Sequence, residues 1–430
     1  MDAATKHEAS GLHSALRYKF IAIVGNENVR AAIAADAVAG VHPKLVIEPE
    51  TESEISEILR LSNAAGLAVI PRGGGTKFGW GNPPARADLV LSTARLNEII
   101  EHAWADLTVT VEAGCTIQRL QETLAEHGQR LALDPLWPEK ATIGGVLSAN
   151  DSGALRLRFG ALRDLIIGAT IALPDGTLAS SGGKVVKNVA GYDLPKLVTG
   201  ALGTLGIITR AVFRLHPLPR NTRSFSVATA NAEEAQRFAL AVQDSKLAHT
   251  FLQSHFSDDA SPVSDILFEG TEAGLVAQEA QLRTFAAPAK VLETSTSSWT
   301  AREKLWTLAD PENTAIAKIS VLPANVARMM KLVEHIANGQ QVQWKALVYG
   351  TGLGWLRLEG KVGALRGALQ ALRGELESQQ GSLVALHHPE KMPSFDAWGN
   401  AGDALPLMKA VKQQLDPKST LNPGRFVGGI

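Results

Sequence analysis

Three glycine-rich stretches are the parts of this 430-residue sequence whose composition could do chemistry. In the first, Arg72-Gly73-Gly74-Gly75-Thr76-Lys77 follows a strand-like run, Ala68-Val69-Ile70. Consecutive glycines permit positive φ and let successive N–H groups converge on one point. Such a nest binds an anion, and Arg72 and Lys77 flank it with positive charge. The pyrophosphate of a dinucleotide is one natural occupant; a flexible surface loop is the alternative. In the second, Thr142-Ile143-Gly144-Gly145-Val146-Leu147-Ser148-Ala149-Asn150 sets a glycine pair at the mouth of a short helix, where N–H groups again face outward. Small side chains at Ser148 and Ala149 would let a flat ligand approach; tight helix–strand packing is the alternative. The third, Gly191-Tyr192-Asp193-Leu194 through Gly203-Thr204-Leu205-Gly206-Ile207-Ile208, ends in a strand. None has the G-x-G-x-x-G of a Rossmann turn. The sequence also lacks a Walker A loop, an H-E-x-x-H helix and a G-x-S-x-G elbow, which argues against NAD enzymes, P-loop NTPases, zincins and α/β-hydrolases.

These loops need elements to hold them. Thr51-Glu52-Ser53-Glu54 has the spacing of a capping box, and Ile55, Ile58, Leu59 and Ser62 follow one helical face. Leu107 to Glu112 alternates like a strand, Thr116 to His127 like a helix, and Ile166 to Leu173 reads as a buried strand turned by Pro174-Asp175-Gly176. Residues 40 to 216 thus form an α+β region of short elements. His216-Pro217-Leu218-Pro219 is a breaker cluster and a domain boundary. Beyond it, strand-like segments (Ser224 to Ala228, Ile266 to Phe268, Ile316 to Ile319, Trp355 to Leu358) alternate with helical ones (Glu233 to Val242, Ala273 to Phe285, Asn325 to Ile336, Val362 to Leu376), which predicts a sheet with helices on one face. A last helix is expected over Leu405 to Leu415.

Composition narrows the classes further. Lys+Arg total 42 and Asp+Glu 43, so the basic surplus of a nucleic-acid binder is missing. The single cysteine, Cys115, excludes an internal disulfide, a CxxC pair and a four-cysteine zinc or iron–sulfur site. The N-terminus has no apolar core of the secretory kind, and the longest greasy stretch, Leu165 to Leu173, is well short of the ~20 residues of a membrane span. The expectation is a cytoplasmic protein with no transmembrane segment, with peripheral attachment at the inner face of the membrane possible only through partners.

The order of these pieces carries more than any one of them. RGGGTK is followed by Val111-Glu112-Ala113-Gly114, the Thr142–Gly145 turn, Arg158-Phe159-Gly160, Arg163-Asp164, Pro174-Asp175-Gly176, Lys187-Asn188-Val189-Ala190-Gly191-Tyr192-Asp193-Leu194 and Gly203-Thr204-Leu205-Gly206-Ile207. From about residue 41 to 219 this set resembles the PCMH-type FAD-binding domain of the vanillyl-alcohol-oxidase superfamily. Within it, the stretch Gly182 to Leu194, Asp396-Ala397-Trp398-Gly399 and Asn422-Pro423-Gly424-Arg425-Phe426 resemble the FAD-binding subunit of bacterial glycolate oxidase. The resemblance implies an α+β chain: a two-subdomain PCMH-type FAD-binding domain followed by an α/β cap (substrate) domain with an antiparallel sheet. The implied divisions are an N-terminal helical segment (1–40), the FAD domain (41–219), the cap (220–400) and a segment returning to the FAD domain (401–430). The cofactor-binding residues carried over are Pro71, Arg72, Gly73, Gly74, Gly75, Thr76, Lys77, Pro135, Thr142, Gly144, Gly145, Ser148, Asn150, Gly153, Gly160 and Ile207. The first loop has no histidine for covalent attachment, so the FAD is expected to be non-covalent. Cys115 reads as packing rather than attachment.

The implied reaction is oxidation of a small 2-hydroxy acid, of the glycolate or D-lactate type, by hydride transfer to flavin N5. It needs a cation for the substrate carboxylate and a base for the hydroxyl proton. His387-His388-Pro389 follows a strand-like run, Ser382 to Leu386, and His387 or His388 is the candidate base; a solvent-exposed pair is the alternative. The arginine expected near this point is missing. Arg357 and Arg425 are the substitutes, although for Arg425 a capping or pairing role at the domain junction is the favoured reading. Trp80 reads as pocket lining or packing. Related hydroxy-acid dehydrogenases bind a divalent metal through spaced histidines, and that spacing is absent, so no metal is expected. A glycolate-oxidase-like complex would supply iron–sulfur and second flavin subunits as partners. The alternative is a non-catalytic, flavin-bearing assembly or electron-relay subunit.

Overall fold

In the computed structural model, residues 16–184, 192–287, 289–294, 296–392 and 395–430 are described. The motif residues Lys187 to Gly191 and the first 15 residues of the N-terminal segment lie outside them. The chain opens with a helix over residues 16–24, whose Phe20 is fully buried against the first sheet.

Two sheets build the region before residue 215. The first has four strands in the order Val29–Ala31, Leu45–Ile47, Leu89–Ser92, Val69–Arg72, the last three parallel. Helix Glu52–Ala64 packs Ile55, Ile58 and Leu59 onto it. Its start is fixed as expected: the Thr51 hydroxyl accepts from the Glu54 N–H at 3.1 Å, and the Glu54 carboxylate accepts from the Thr51 N–H at 3.3 Å. The second sheet is antiparallel, in the order Ile99–Ala103, Thr108–Glu112, Ile207–Arg214, Ile166–Ala172, Leu178–Gly182. Its Val109, Val111, Ala211 and Phe213 share a core with helix Ile117–Ala125 and the short helix Ile143–Ala149. Cys115 sits in that core, where burial pushes its thiol up to about 11 and leaves it inert.

Residues 221–387 form one antiparallel sheet of eight strands, ordered Val291–Glu293, Asn221–Ala228, Val263–Gly270, His249–Ser257, Gln343–Tyr349, Leu353–Glu359, Thr314–Ser320, Ser382–His387. Each half is a β-α-β-β-α-β unit, and the halves join where His249–Ser257 pairs with Gln343–Tyr349. The helices Ala232–Asp244, Glu272–Ala286, Val326–Gln340 and Val362–Ser378 cover one face. Strand alternation sends Ala315, Ala317 and Ile319 into that helical core and turns Ile316 toward the first domain. Three strands of this sheet, His249–Ser257, Gln343–Tyr349 and Val291–Glu293, were not expected from the sequence pattern.

After helix Leu405–Leu415 the chain returns to the first sheet: Leu421 bridges Val69 in parallel, and the Val69 N–H donates to the Thr420 carbonyl at 2.8 Å. Lys412 fixes this return by donating to Asp416 (2.6 Å) and to the carbonyls of Thr204 (2.8 Å) and Leu421 (3.0 Å). Among the described residues no helix is long and apolar enough to cross a membrane.

Candidate functional site

Strand Val69–Arg72 delivers its carboxyl end into the triple-glycine loop, and helix Ile143–Ala149 points its first turn at the same place. A cleft of about 680 Å³ opens between them. It is lined by Pro71, Arg72, Gly73, Gly74, Gly75, Thr76, Lys77, Thr142, Gly144, Gly145, Ser148 and Ile207, and also by Arg425. Pro135, Asn150, Gly153 and Gly160 do not line it, and each has a local reason to be where it is. Gly153 donates its N–H to the Asp134 carboxylate at 3.0 Å, and a Cβ there would overlap that carboxylate. Gly160 ends a helical turn at φ 85°. Asn150 caps helix Ile143–Ala149 in the left-handed region at φ 50°. Pro135 is buried beside Asp134. Ala149, which the sequence reading paired with Ser148 beside a flat ligand, and Gly203, Gly206 and Ile208 of the third glycine stretch also line it; Phe78, Thr93, Leu202 and Asn422, which the reading did not assign to the cofactor, complete the wall.

The glycines serve two purposes. A Cβ on Gly73 would overlap the Thr142 hydroxyl, one on Gly74 the Lys140 carbonyl, and one on Gly144 would lie 2.8 Å from the Ala113 Cβ. These three let the two loops and the adjacent strand press together. Gly145 is different: a Cβ there would meet only Thr142 Oγ1, at 3.3 Å, with its remaining side open to the cleft. The cations are also unequal. Arg72 is spent on Asp36 (2.6 Å), which Arg30 also grips, and these partners hold the Asp36 carboxyl well below the usual range. Lys77 turns its ammonium inward to Asp151 (3.2 Å) and the Leu136 carbonyl (3.2 Å). Arg425 has no carboxylate partner among the described residues. It donates to the Phe78 and Trp80 carbonyls, both at 2.6 Å, and burial pulls its guanidinium down to about 10. The Asn422 Oδ1 is buried without a partner while its amide donates to the Leu202 carbonyl at 2.6 Å.

Beside the cleft lies the domain junction. Helix Ala301–Leu305 runs between the eight-stranded sheet and the first domain. Its Arg302, 6% exposed, bonds Asp151 (2.9 Å) and the Asp134 carbonyl (2.6 Å), with the Trp355 ring centroid 5.0 Å away. Burial drives the Asp151 carboxyl up, but Arg302 and Lys77 outweigh it and hold the group below its ordinary value. Asp134, buried with only backbone N–H donors on its carboxylate, is pushed up to about 6. Trp306 stacks on Trp80 at 5.9 Å and meets Trp137 edge-on at 5.3 Å. Lys318 shares this space. It projects from strand Thr314–Ser320 on the face away from the helical core, near Asp151, Arg302 and Arg156, and burial lowers its ammonium to about 8. It makes no hydrogen bond or ion pair with the described residues. Only a lysine facing inward on a strand could have flagged it from sequence, and many lysines fit that pattern.

The histidine pair is not brought to either place. A bulge closes the last strand, so that Ala317 faces Ala385 while Ile316 faces His387. The segment after helix Ala301–Leu305 packs over that end, and His387 Nε2 lies 3.2 Å from the Pro311 carbonyl. His388 stays with Pro389 O at 3.1 Å and the Phe395 ring. Neither His387 nor His388, the candidate bases, lines the cleft. Arg357 is spent on Glu359 and on the Leu305 and Thr307 carbonyls. Asp396–Gly399 works at the junction, where the Trp398 indole donates to the Arg425 carbonyl at 2.9 Å and Asn82 bonds both Asp396 and Ala397 at 2.7 Å. Among the described residues no three His, Cys, Asp or Glu side chains gather as a metal site would need.

Comparison with known proteins points to the cofactor. Residues 43–182 match the family described as FAD binding domain. Glycolate oxidase subunit GlcD of Bacillus subtilis is 35% identical over 193 residues, which cover 45% of this chain and 41% of that one. D-lactate dehydrogenase of Archaeoglobus fulgidus is 33% identical over 199 residues, covering 46% and 44%. The chain thus aligns with less than half the length of these two relatives. D-2-hydroxyglutarate dehydrogenase of Xanthomonas citri pv. viticola is 28% identical over 423 residues, covering 90% and 89%. Among solved structures, p-cresol methylhydroxylase with substrate bound superposes with a TM-score of 0.79 over 96% of both chains at 15% identity, which speaks for the fold alone. The cleft fits the cofactor on its own evidence: a floor of bare backbone, an open face at Gly145, an orphaned Asn422 acceptor and an Arg425 cation without a carboxylate.

Proposed function

We propose that this chain, which carries a PCMH-type FAD-binding domain, is an FAD-dependent oxidoreductase acting on a small 2-hydroxy acid of the glycolate or D-lactate type, as the FAD-bearing subunit of a glycolate-oxidase-like complex. The names of the relatives support the substrate class. The observation that carries the reading is the unpaired Lys318 in a junction that adjoins the cofactor cleft through Lys77 and Ala149. FAD would be held non-covalently by the two glycine loops, with Arg425 and Asn422 meeting its polar groups, and when bound it supplies the two-electron acceptor. Lys318 takes the role first sought in His387. As the neutral amine it accepts the hydroxyl proton and becomes the ammonium. With its pKa near 8, both forms are populated near neutral to mildly alkaline pH. Lys77 and Arg302 keep Asp151 ionised and fix the floor under it.

The test is anaerobic. The purified chain, loaded with FAD, is mixed with glycolate or D-lactate and its visible spectrum followed. Bleaching is expected, and bleaching that is lost in Lys318→Met but kept in His387→Ala supports the assignment. A flavin that neither substrate bleaches, even with the iron–sulfur and second flavin partners present, overturns the substrate claim.

One observation favours a second reading. Arg302 and the Trp80, Trp137 and Trp306 rings fill much of the junction. A chain so sealed would relay electrons or order the assembly without binding substrate. Bleaching only in the presence of a partner subunit, unaffected by Lys318→Met, would select it.

A further inference from the structure

Lys318 has a second unpartnered cation beside it. Arg156 opens the short helix Arg156–Phe159 of the flavin domain, which packs against strand His249–Ser257 of the cap. Its neighbours part to either side: Leu155 joins the junction cluster of Tyr349 and Trp355, and Leu157 joins the core under helix Ala232–Asp244. The Arg156 guanidinium acts on Lys318 across the junction. It makes no hydrogen bond or ion pair with the described residues. Arg156 and Lys318 are both half-buried rather than sealed, so solvent reaches them.

Every carboxylate nearby is engaged elsewhere. Asp151 accepts from Arg302 (2.9 Å), Lys77 (3.2 Å) and the Leu136 N–H (2.9 Å). Asp134 accepts from the N–H groups of Gly153, Ala154 and Leu155. Glu303 accepts from the Trp137 N–H at 3.4 Å, and Glu139 is exposed, beside Lys77. None of them bonds Arg156. The other arginines are committed: Arg302 to Asp151 and the Asp134 carbonyl, Arg357 to Glu359, Arg425 to the Phe78 and Trp80 carbonyls. A guanidinium is a rigid fork of donors that matches a carboxylate bidentately. In a 2-hydroxy acid the hydroxyl and the carboxylate are borne on adjacent carbons, so the base and the cation that receive them must be neighbours, as Lys318 and Arg156 are. We propose that Arg156 holds the substrate carboxylate while Lys318 takes the hydroxyl proton. This rests on the flavin reaction above and supplies the cation that reaction needs, from the flavin domain rather than from the cap.

Oxalate tests the assignment without turnover. It carries the two-carbon carboxylate of glycolate but no C–H, so it cannot give up a hydride. Calorimetric titration of the FAD-loaded wild type with oxalate should show saturable binding. Arg156→Met should keep the flavin spectrum and weaken oxalate binding by about a hundredfold, the loss of a bidentate charge-assisted contact. Arg156→Lys should recover part of it. Arg158→Gln, exposed on the same helical turn, should leave it unchanged. With D-lactate or glycolate, Arg156→Met should raise KM far more than it lowers kcat, the reverse of Lys318→Met. Oxalate that fails to bind wild type, or binds Arg156→Met as tightly as wild type, overturns the assignment; so does loss of FAD from Arg156→Met, which would put the arginine on the cofactor. The two readings fail separately. Bleaching by a hydroxy acid with oxalate binding indifferent to Arg156 sinks this inference alone. Oxalate binding that Arg156→Met abolishes, in a chain whose flavin no hydroxy acid bleaches, sinks the reaction and leaves the carboxylate site.

Discussion

The cofactor cleft is walled by backbone; the junction beside it is walled by ionised side chains. In the cleft, Gly73, Gly74 and Gly144 are glycines because another chain segment occupies the space a Cβ would need. In the junction, Lys77, Asp134, Asp151, Arg302 and Lys318 come from five separate loops and elements and depend on one another's charge. A backbone site tolerates little change in shape. A charged site tolerates shape but not the removal of one member. The two should therefore fail differently.

The sharpest contrast is within the glycines. Gly74→Val should abolish soluble, folded protein, because its side chain would collide with Lys140 O. Gly145→Val should give a folded chain without flavin absorbance, because its side chain enters the cleft. Circular dichroism and the visible spectrum separate the two outcomes; full FAD occupancy in Gly145→Val would show the cleft is misassigned. Next in size is Arg302→Met. It removes one of two cations from a buried carboxylate and should destabilise the fold by roughly 3–5 kcal/mol in denaturant unfolding, as breaking a buried pair does. A loss under about 1 kcal/mol, the range of a surface pair, would mean the junction is open to water.

Lys318→Met should slow flavin reduction by about a hundredfold, the lower range for a proton-transfer group. The sign of its pH dependence follows from the direction of the shift. Burial lowers the folded-state pKa to about 8, so the neutral amine grows as pH rises through 8, and the wild-type rate should rise there and level off above it. The variant should lose that rise. Arg425→Ala should weaken FAD binding by about tenfold, one hydrogen bond to a charged group, read by flavin fluorescence on dilution. His387→Ala should change flavin reduction by less than about twofold, because its ring sits against the Pro311 carbonyl and does not line the cleft.

The same contrast explains what could be read in advance. Glycine spacing records backbone geometry directly, so most of the cleft was visible as Arg72 to Lys77 and Thr142 to Ser148. Asn422 and Leu202 reach it only through the return of the C-terminal segment, which local pattern cannot encode. Pro135, Gly153 and Gly160 belong to the same motifs but serve turns around Asp134 and Asp164. In the cap, Thr314–Ser320 was legible from its alternation. His249–Ser257 was not, because its Gln253 and His255, which bond Asp265, break the apolar rhythm. The histidine pair misled for a related reason: a sequence shows that His387 ends a strand, but not that Pro311 covers it.

The most direct test places the two regions in one experiment. FAD-loaded wild type, Lys318→Met and His387→Ala are mixed anaerobically with D-lactate or glycolate, and the flavin absorbance is followed in time. Bleaching in wild type and His387→Ala, with none or about a hundredfold slower bleaching in Lys318→Met, is the result this account predicts. Bleaching that persists unchanged in Lys318→Met and disappears in His387→Ala would contradict it.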